Sequence, residues 1–274
     1  GVTVTVPGAE DDGTTVLEAG LPAGTGELSD NIPNNDNSET TSGTITFTAS
    51  DTPVTISVGG QPVVIAGVDQ TDLTVDGAFG ELTLDLTNVA TGSIGYSYTL
   101  DANIDHDDAV ADSDTFAVVV TDEDGDSANG SLVIAITDDG PEAVADSQTI
   151  NASATEATGN VLTNDVAGAD DESTTVVGVA VGNTGADLDN AATVGDGTIT
   201  GTGITGTNGT LYMASTGAYT FVPNADAENF TETFTYTIKD SDGTLSNTTV
   251  AITVSDGVTV TVPGAEDDGT TVLE

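Results

Sequence analysis

Cysteine and tryptophan are absent from all 274 residues, and the chain carries a single basic side chain, Lys239, and a single histidine, His106. Without cysteine there is no disulfide, no thiol nucleophile and no thiolate-bound metal. With one lysine and no arginine the chain cannot neutralise phosphates, which excludes ordinary nucleic-acid binding. It also lacks the charge that would draw it to anionic lipid. Aromatic residues make up only 4%, so a core must be built mainly from Val, Ile, Leu and Ala, and stacking platforms for carbohydrate are scarce. No run approaches the roughly 20 apolar residues of a spanning helix, so no membrane insertion is expected in this segment. No secretory leader pattern opens the chain. Catalysis is not expected either: only carboxylate chemistry such as a glycosidase pair would be left, and no pair stands out.

Acid is what the chain has in excess. Asp and Glu number 46 and the formal net charge is −45. Two unit charges about 4 Å apart repel by roughly 4 kcal/mol at an effective dielectric of 20. Acids clustered in loops therefore stay solvated or need a counterion. Two readings follow: an acidic surface suited to saline water, and Ca²⁺, a hard cation that takes six to eight oxygen ligands.

Residues 1–18, GVTVTVPGAEDDGTTVLE, recur without substitution as residues 257–274. Repetition at a fixed period decides what counts as a domain. The offset, 257 − 1 = 256 residues, makes the chain one period of a larger array followed by the start of the next copy. A weaker repeat lies inside that period. DTFAVVVTDEDGDSANGSLVIAITD (114–138) matches ETFTYTIKDSDGTLSNTTVAITVSD (232–256) without a gap, pairing Phe116 with Phe234, Asp122 with Asp240, Gly125 with Gly243 and Asp138 with Asp256. In the second copy Phe234, Tyr236 and Ile238 alternate with Thr, the period of a strand with one buried face. An Asp-x-Asp-Gly turn and a second alternating run follow, which predicts a β-hairpin. Upstream, GELTLDL (80–86) with GSIGYSYTL (92–100), and GTLYMAS (209–215) with GAYTFVP (217–223), predict further strand pairs. Many short strands with close turns predict β-sandwiches, placed at 1–138 and 139–256, with 257–274 opening the next repeat. A helical turn is allowed at most near residues 224–229.

VLEAGLPAGT (16–25), the GELTLDL and GYSYTL strands and DTFAVVVTDEDGDSANGSLVIAITDDGP resemble the repeats of giant type I-secreted (RTX-type) bacterial adhesins. GNVLTND (159–165), GAYTFVPN (217–224) and ETFTYTIKDSDG (232–243) resemble the cadherin-like repeats of the same proteins. The resemblance implies an all-β chain of two tandem Ig-like and cadherin-like sandwiches. It implies an extender of a bacterial cell-surface adhesin, extracellular, serving adhesion and biofilm formation, partnered by neighbouring repeats of the same polypeptide and stiffened by Ca²⁺ at its joints. A filament or sheath subunit, and a carbohydrate- or ice-binding module, are the alternatives; the Gly-Thr run at 198–210 bears on the last.

In such a sandwich the loop of the closing hairpin returns to the end where the chain enters. Asp240 and Asp242 should then lie beside Asp138 and Asp139, with Asp107, Asp108, Asp112 and Asp114 reaching the same place. By the same logic Asp122, Asp124 and Asp126 face the start of the first domain, where Asp256, Glu10, Asp11 and Asp12 would contribute. Glu18 is a further candidate by resemblance to the cadherin pattern. The competing reading is turn chemistry, since Asp caps its own turn and Gly tolerates positive φ. An EF-hand is excluded: counting from Asp122 puts Ser127 where Gly is needed and Val133 where the bidentate Glu belongs. His106 reads as an exposed loop histidine.

Overall fold

The computed structural model describes residues 1–8, 11–28, 35–70, 73–104, 106, 112–169 and 174–256. Glu10, Asp107, Asp108 and the repeated segment 257–274 lie outside the described residues. The chain is all-β and divides into two compact units. The first is Gly1–Val144 together with Asn164–Thr175 and Thr237–Asn247, and the second is the remainder.

Among the described residues eleven strands fall in the first half: β1 (Val2–Thr5), β2 (Thr15–Leu17), β3 (Thr40–Ala49), β4 (Thr55–Val58), β5 (Gln61–Ile65), β6 (Val68–Asp69), β7 (Thr74–Asp76), β8 (Gly80–Asp85), β9 (Ser93–Leu100), β10 (Ser113–Thr121) and β11 (Ser127–Thr137). They form a sheet of order β1-β3-β9-β8-β7 and a sheet of order β2-β11-β10-β4-β5-β6. Alternation decides how these meet. Every second residue of β9 (Ile94, Tyr96, Tyr98, Leu100) and of β10 (Asp114, Phe116, Val118, Val120) is buried. The two inward faces share one core, with the rings of Tyr98 and Phe116 in edge contact at 6.1 Å.

Eight strands follow: β12 (Asp146–Asn151), β13 (Ala157–Asn160), β14 (Thr175–Val181), β15 (Gly203–Thr205), β16 (Gly209–Met213), β17 (Ala218–Pro223), β18 (Phe230–Lys239) and β19 (Leu245–Ser255). Their sheets run β12-β19-β18-β14 and β13-β17-β16-β15. Phe221 of one sheet meets Phe234 of the other edge-on at 6.0 Å. The Gly-Thr run (198–210) passes through the edge strand β15 and ends in the first residues of β16.

Two expectations need correction. Residues 224–229 form turns rather than a helix; the helical turns are short and lie elsewhere, including Glu18–Gly20 and Thr25–Leu28. The strand at Phe234 does not bury one face only, because Thr235 and Thr237 are also fully buried. The Thr235 hydroxyl donates to the Gly182 carbonyl at 2.7 Å and accepts from Thr184 N–H at 2.9 Å, so the chain after β14 covers that outer face. No described helix is long and apolar enough to cross a membrane.

Candidate metal centres

The two closing hairpins are built alike. In the first, Asp122 N–H donates to the Asp126 carbonyl and Gly125 takes φ +95°; in the second, Asp240 N–H donates to the Thr244 carbonyl and Gly243 takes φ +108°. A side chain is strained at such φ, so glycine is needed at both turns. Each first aspartate splits its carboxylate. Oδ1 of Asp122 accepts from Asp126 N–H at 2.9 Å, and Oδ1 of Asp240 accepts from Gly243 and Thr244 N–H at 2.9 and 2.7 Å. The other oxygen, Oδ2, is buried at both positions and makes no hydrogen bond to a donor of the turn. Turn chemistry accounts for Oδ1 but not for Oδ2.

Neighbouring carboxylates sharpen the demand for a cation. Burial, and then the adjoining Asp242, push the Asp240 carboxyl up to about 7. Burial and Asp124 push Asp122 up in the same way, while the hydrogen bond from Asp122 holds Asp124 down. Asp51, at the end of β3, completes a group with Asp122 and Asp124 whose ligand atoms lie within 4.8 Å of one another. It arrives there because β1 pairs with β3 up to Val2↔Ala49. No motif marks Asp51 in the sequence. Gly1 N lies 4.0 Å from Asp122 Oδ2 and 3.6 Å from Asp126, so these loops do adjoin the start of the chain.

Asp138 and Asp139 come beside the second hairpin. Thr244 Oγ1 donates to Asp138 Oδ2 at 2.9 Å. Both oxygens of Asp139 are taken up by Thr25, through its backbone N–H at 2.7 Å and its hydroxyl. Asp11 holds its own turn by accepting from Gly8 N–H at 2.6 Å. Neither Asp11 nor Asp12 joins a group of metal-competent atoms among the described residues. Asp256 is exposed at the end of β19.

Asp114 has an interior role. It is 2% exposed and accepts from the N–H groups of Ala78, Phe79 and Gly80 at 2.6, 3.1 and 3.1 Å, and from Tyr98 Oη at 2.7 Å. Its repeat partner 118 residues on, Glu232, is 6% exposed and accepts from Thr207 and Asn208 N–H at 3.0 and 2.6 Å. The receiving turns also match. Gly77–Gly80 and Gly206–Gly209 each close with the first glycine N–H on the last glycine carbonyl, and a Cβ on the first glycine would strike the carboxylate. Burial, and then the Asp114 carboxylate, raise the Tyr98 hydroxyl far above its ordinary value. Tyr98→Phe removes one charge-assisted bond and should cost about 1.5–3 kcal/mol, read as a lowered midpoint in urea. A midpoint equal to wild type would show that Asp114 does not use the hydroxyl.

His106 departs from the expectation of an exposed loop histidine. Its side chain is 14% exposed, with Nδ1 2.9 Å from Asp112 and Nε2 3.3 Å from Glu18, whose side chain is fully buried. Its acidic sequence neighbours gave no sign that β2 would bring Glu18 against it.

No protein-family model matches the chain, and no curated protein matches it in sequence. Solved structures similar to it include the human desmocollin-1 ectodomain (14% identity, 89% of this chain and 36% of that one, TM-score 0.28). Others are the protocadherin gamma B4 extracellular domain (13%, 93% and 33%, TM-score 0.29) and eight Ig domains of Down syndrome cell adhesion molecule (11%, 78% and 22%, TM-score 0.24). The chain spans well under half the length of each.

Proposed function

We propose that this chain is an extender module of a large extracellular adhesin, of the bacterial cell-surface kind, stiffened by Ca²⁺ where one repeat is joined to the next. The observation that carries the reading is the shared split at Asp122 and Asp240, each with one oxygen on its turn and one buried with no donor of the turn to meet it. Such an oxygen wants a cation, and an all-oxygen acidic loop suits Ca²⁺ better than Mg²⁺, which keeps its waters and demands a tighter octahedron. The 256-residue repetition suits a rod, in which each module touches only its neighbours. In an array of that period the counterpart of Asp256 directly precedes Gly1, beside Asp122. It would serve there as Asp138 serves beside Asp240. Adhesion, with biofilm formation as its setting, follows from the resemblance to type I-secreted adhesins.

Calcium titration against thermal melting tests this. A ligand that binds only the native state at 100 times its Kd adds about 2.7 kcal/mol. Millimolar Ca²⁺ should therefore raise Tm, Mg²⁺ should do so weakly, and Asp240→Asn should remove part of the gain. Scattering in Ca²⁺ against chelator reports the stiffening itself. A Tm indifferent to Ca²⁺ would mean that the acidity is only a saline surface.

A further inference from the structure

We infer that Glu18, His106 and Asp138 form a metal centre of a second kind, for a nitrogen-seeking divalent cation of the Zn²⁺ class. The strand register builds it. β2 runs parallel to β11 with Leu17 opposite Thr137, so the next residues along, Glu18 and Asp138, leave the sheet side by side. Ile104, four residues past β9, reaches them: its N–H donates to Glu18 Oε1 at 2.7 Å. That bond carries His106 into place two residues later. One ligand atom from each of Glu18, His106 and Asp138 lies within 4.8 Å of the others.

The hydrogen bonding of the imidazole decides what it offers. Nδ1 sits 2.9 Å from Asp112 Oδ2, an acceptor, so in the neutral imidazole it is the nitrogen placed to carry the proton. Nε2 then presents a lone pair, buried and without a hydrogen-bond partner, as is Asp138 Oδ1. A lone pair facing carboxylates has no donor to meet, and a cation satisfies all of them together. The order carboxylate, histidine, metal is the usual way in which an outer carboxylate fixes a ligand's tautomer.

Ligand type selects the cation. Imidazole suits Zn²⁺ and its neighbours, whereas Ca²⁺ takes oxygen. The 3.3 Å between Nε2 and Glu18 Oε2 is also the edge of a tetrahedron with bonds of about 2.0–2.1 Å. Three protein ligands leave a fourth position for water. The inference differs from the Ca²⁺ reading in the cation it calls for, and it draws on Glu18, Asp112 and Asp138, which the sequence also offers as Ca²⁺ candidates.

Co²⁺, a coloured substitute for Zn²⁺, provides the test on the full chain. One Co²⁺ per chain should bind with the absorption of a four-coordinate nitrogen-and-oxygen site, persist in millimolar Ca²⁺ and be displaced by Zn²⁺. Asp112→Asn should weaken binding about tenfold, and His106→Gln by about 100-fold, since an outer partner alone is worth 10–100-fold. His106 is the only imidazole in the chain, so its nitrogen NMR signals report directly. Zn²⁺ should shift Nε2 and leave Nδ1 protonated. A proton that stays on Nε2 in saturating Zn²⁺ would make the group a plain ion pair. That result, equal binding by His106→Gln, or displacement by Ca²⁺ would each overturn the inference. Calcium-dependent melting can fail or persist independently of every one of these outcomes.

Discussion

Asp114→Ala should unfold the first unit at temperatures where the rest of the chain still holds, the largest effect we expect from a single substitution. The carboxylate leaves three backbone N–H groups and one tyrosine hydroxyl behind, all facing a core where Phe116 and Tyr98 are at most 2% exposed. Each buried donor left unmet costs about 1–3 kcal/mol. Water can reach some of the opened turn, so the sum is held to about 3–5 kcal/mol. That is a large part of the 5–15 kcal/mol by which domains are stable, and roughly 10 °C or more in Tm. Glu232→Ala, with two donors to strand, should do the same to the second unit with a smaller drop. Tyrosine signals follow the two events, since Tyr96 and Tyr98 lie in the first unit and Tyr212, Tyr219 and Tyr236 in the second. If Asp114→Ala melts within a degree or two of wild type, the carboxylate is not what holds the turn.

Reversal of the pH dependence of stability by Ca²⁺ is the second large effect. Burial, and then Asp242, push the Asp240 carboxyl up to about 7 from its ordinary 3.8. The native state therefore holds a proton that the unfolded state has lost, and stability falls as pH rises between about 4 and 7. Metal-stripped chain should melt higher at pH 5 than at pH 8. Relief of charge repulsion among the other acids acts in the same direction, and Asp240→Asn separates the two by flattening the slope. Ca²⁺ needs the carboxylate ionised, so it should stabilise strongly at pH 8, little at pH 5, and invert the order of the two melts. An order that stays the same with and without Ca²⁺ would place the ion away from Asp240.

The hairpins were legible in the sequence because their signals are local: alternation, an Asp-x-Asp-Gly turn, and a second copy 118 residues away. The approach of Asp138 to the second hairpin followed from sandwich geometry alone. Asp114 was harder. One acid in a run of acids reads as surface, and nothing nearby says that the turn at Gly77–Gly80 will arrive to meet it. The cue was present in the repeat, where Glu232 and Asp114 each stand two residues before a phenylalanine, on the face that the strand's alternation turns inward. His106 and Asp51 depended on pairings across the fold, β2 with β11 and β1 with β3, which no window of sequence contains. Thr235 and Thr237 hid their burial because threonine is at home on either face of a strand.

The first strand of the second half, β12, runs parallel to its last, β19, over six paired residues from Asp146↔Val250 to Asn151↔Ser255. In the first half β2 and β11 are parallel over three. Tension that drags the start of β12 and the end of β19 in opposite directions acts along the strands and loads every rung of that ladder at once. A hairpin pulled open from its free end gives way one rung at a time. The second sandwich is thus clamped in shear, with twice as many rungs as the first. Tension from the start of the chain meets β1, paired with β3 over four residues, before it reaches the short β2–β11 ladder, whereas the second half meets it at the six rungs between β12 and β19.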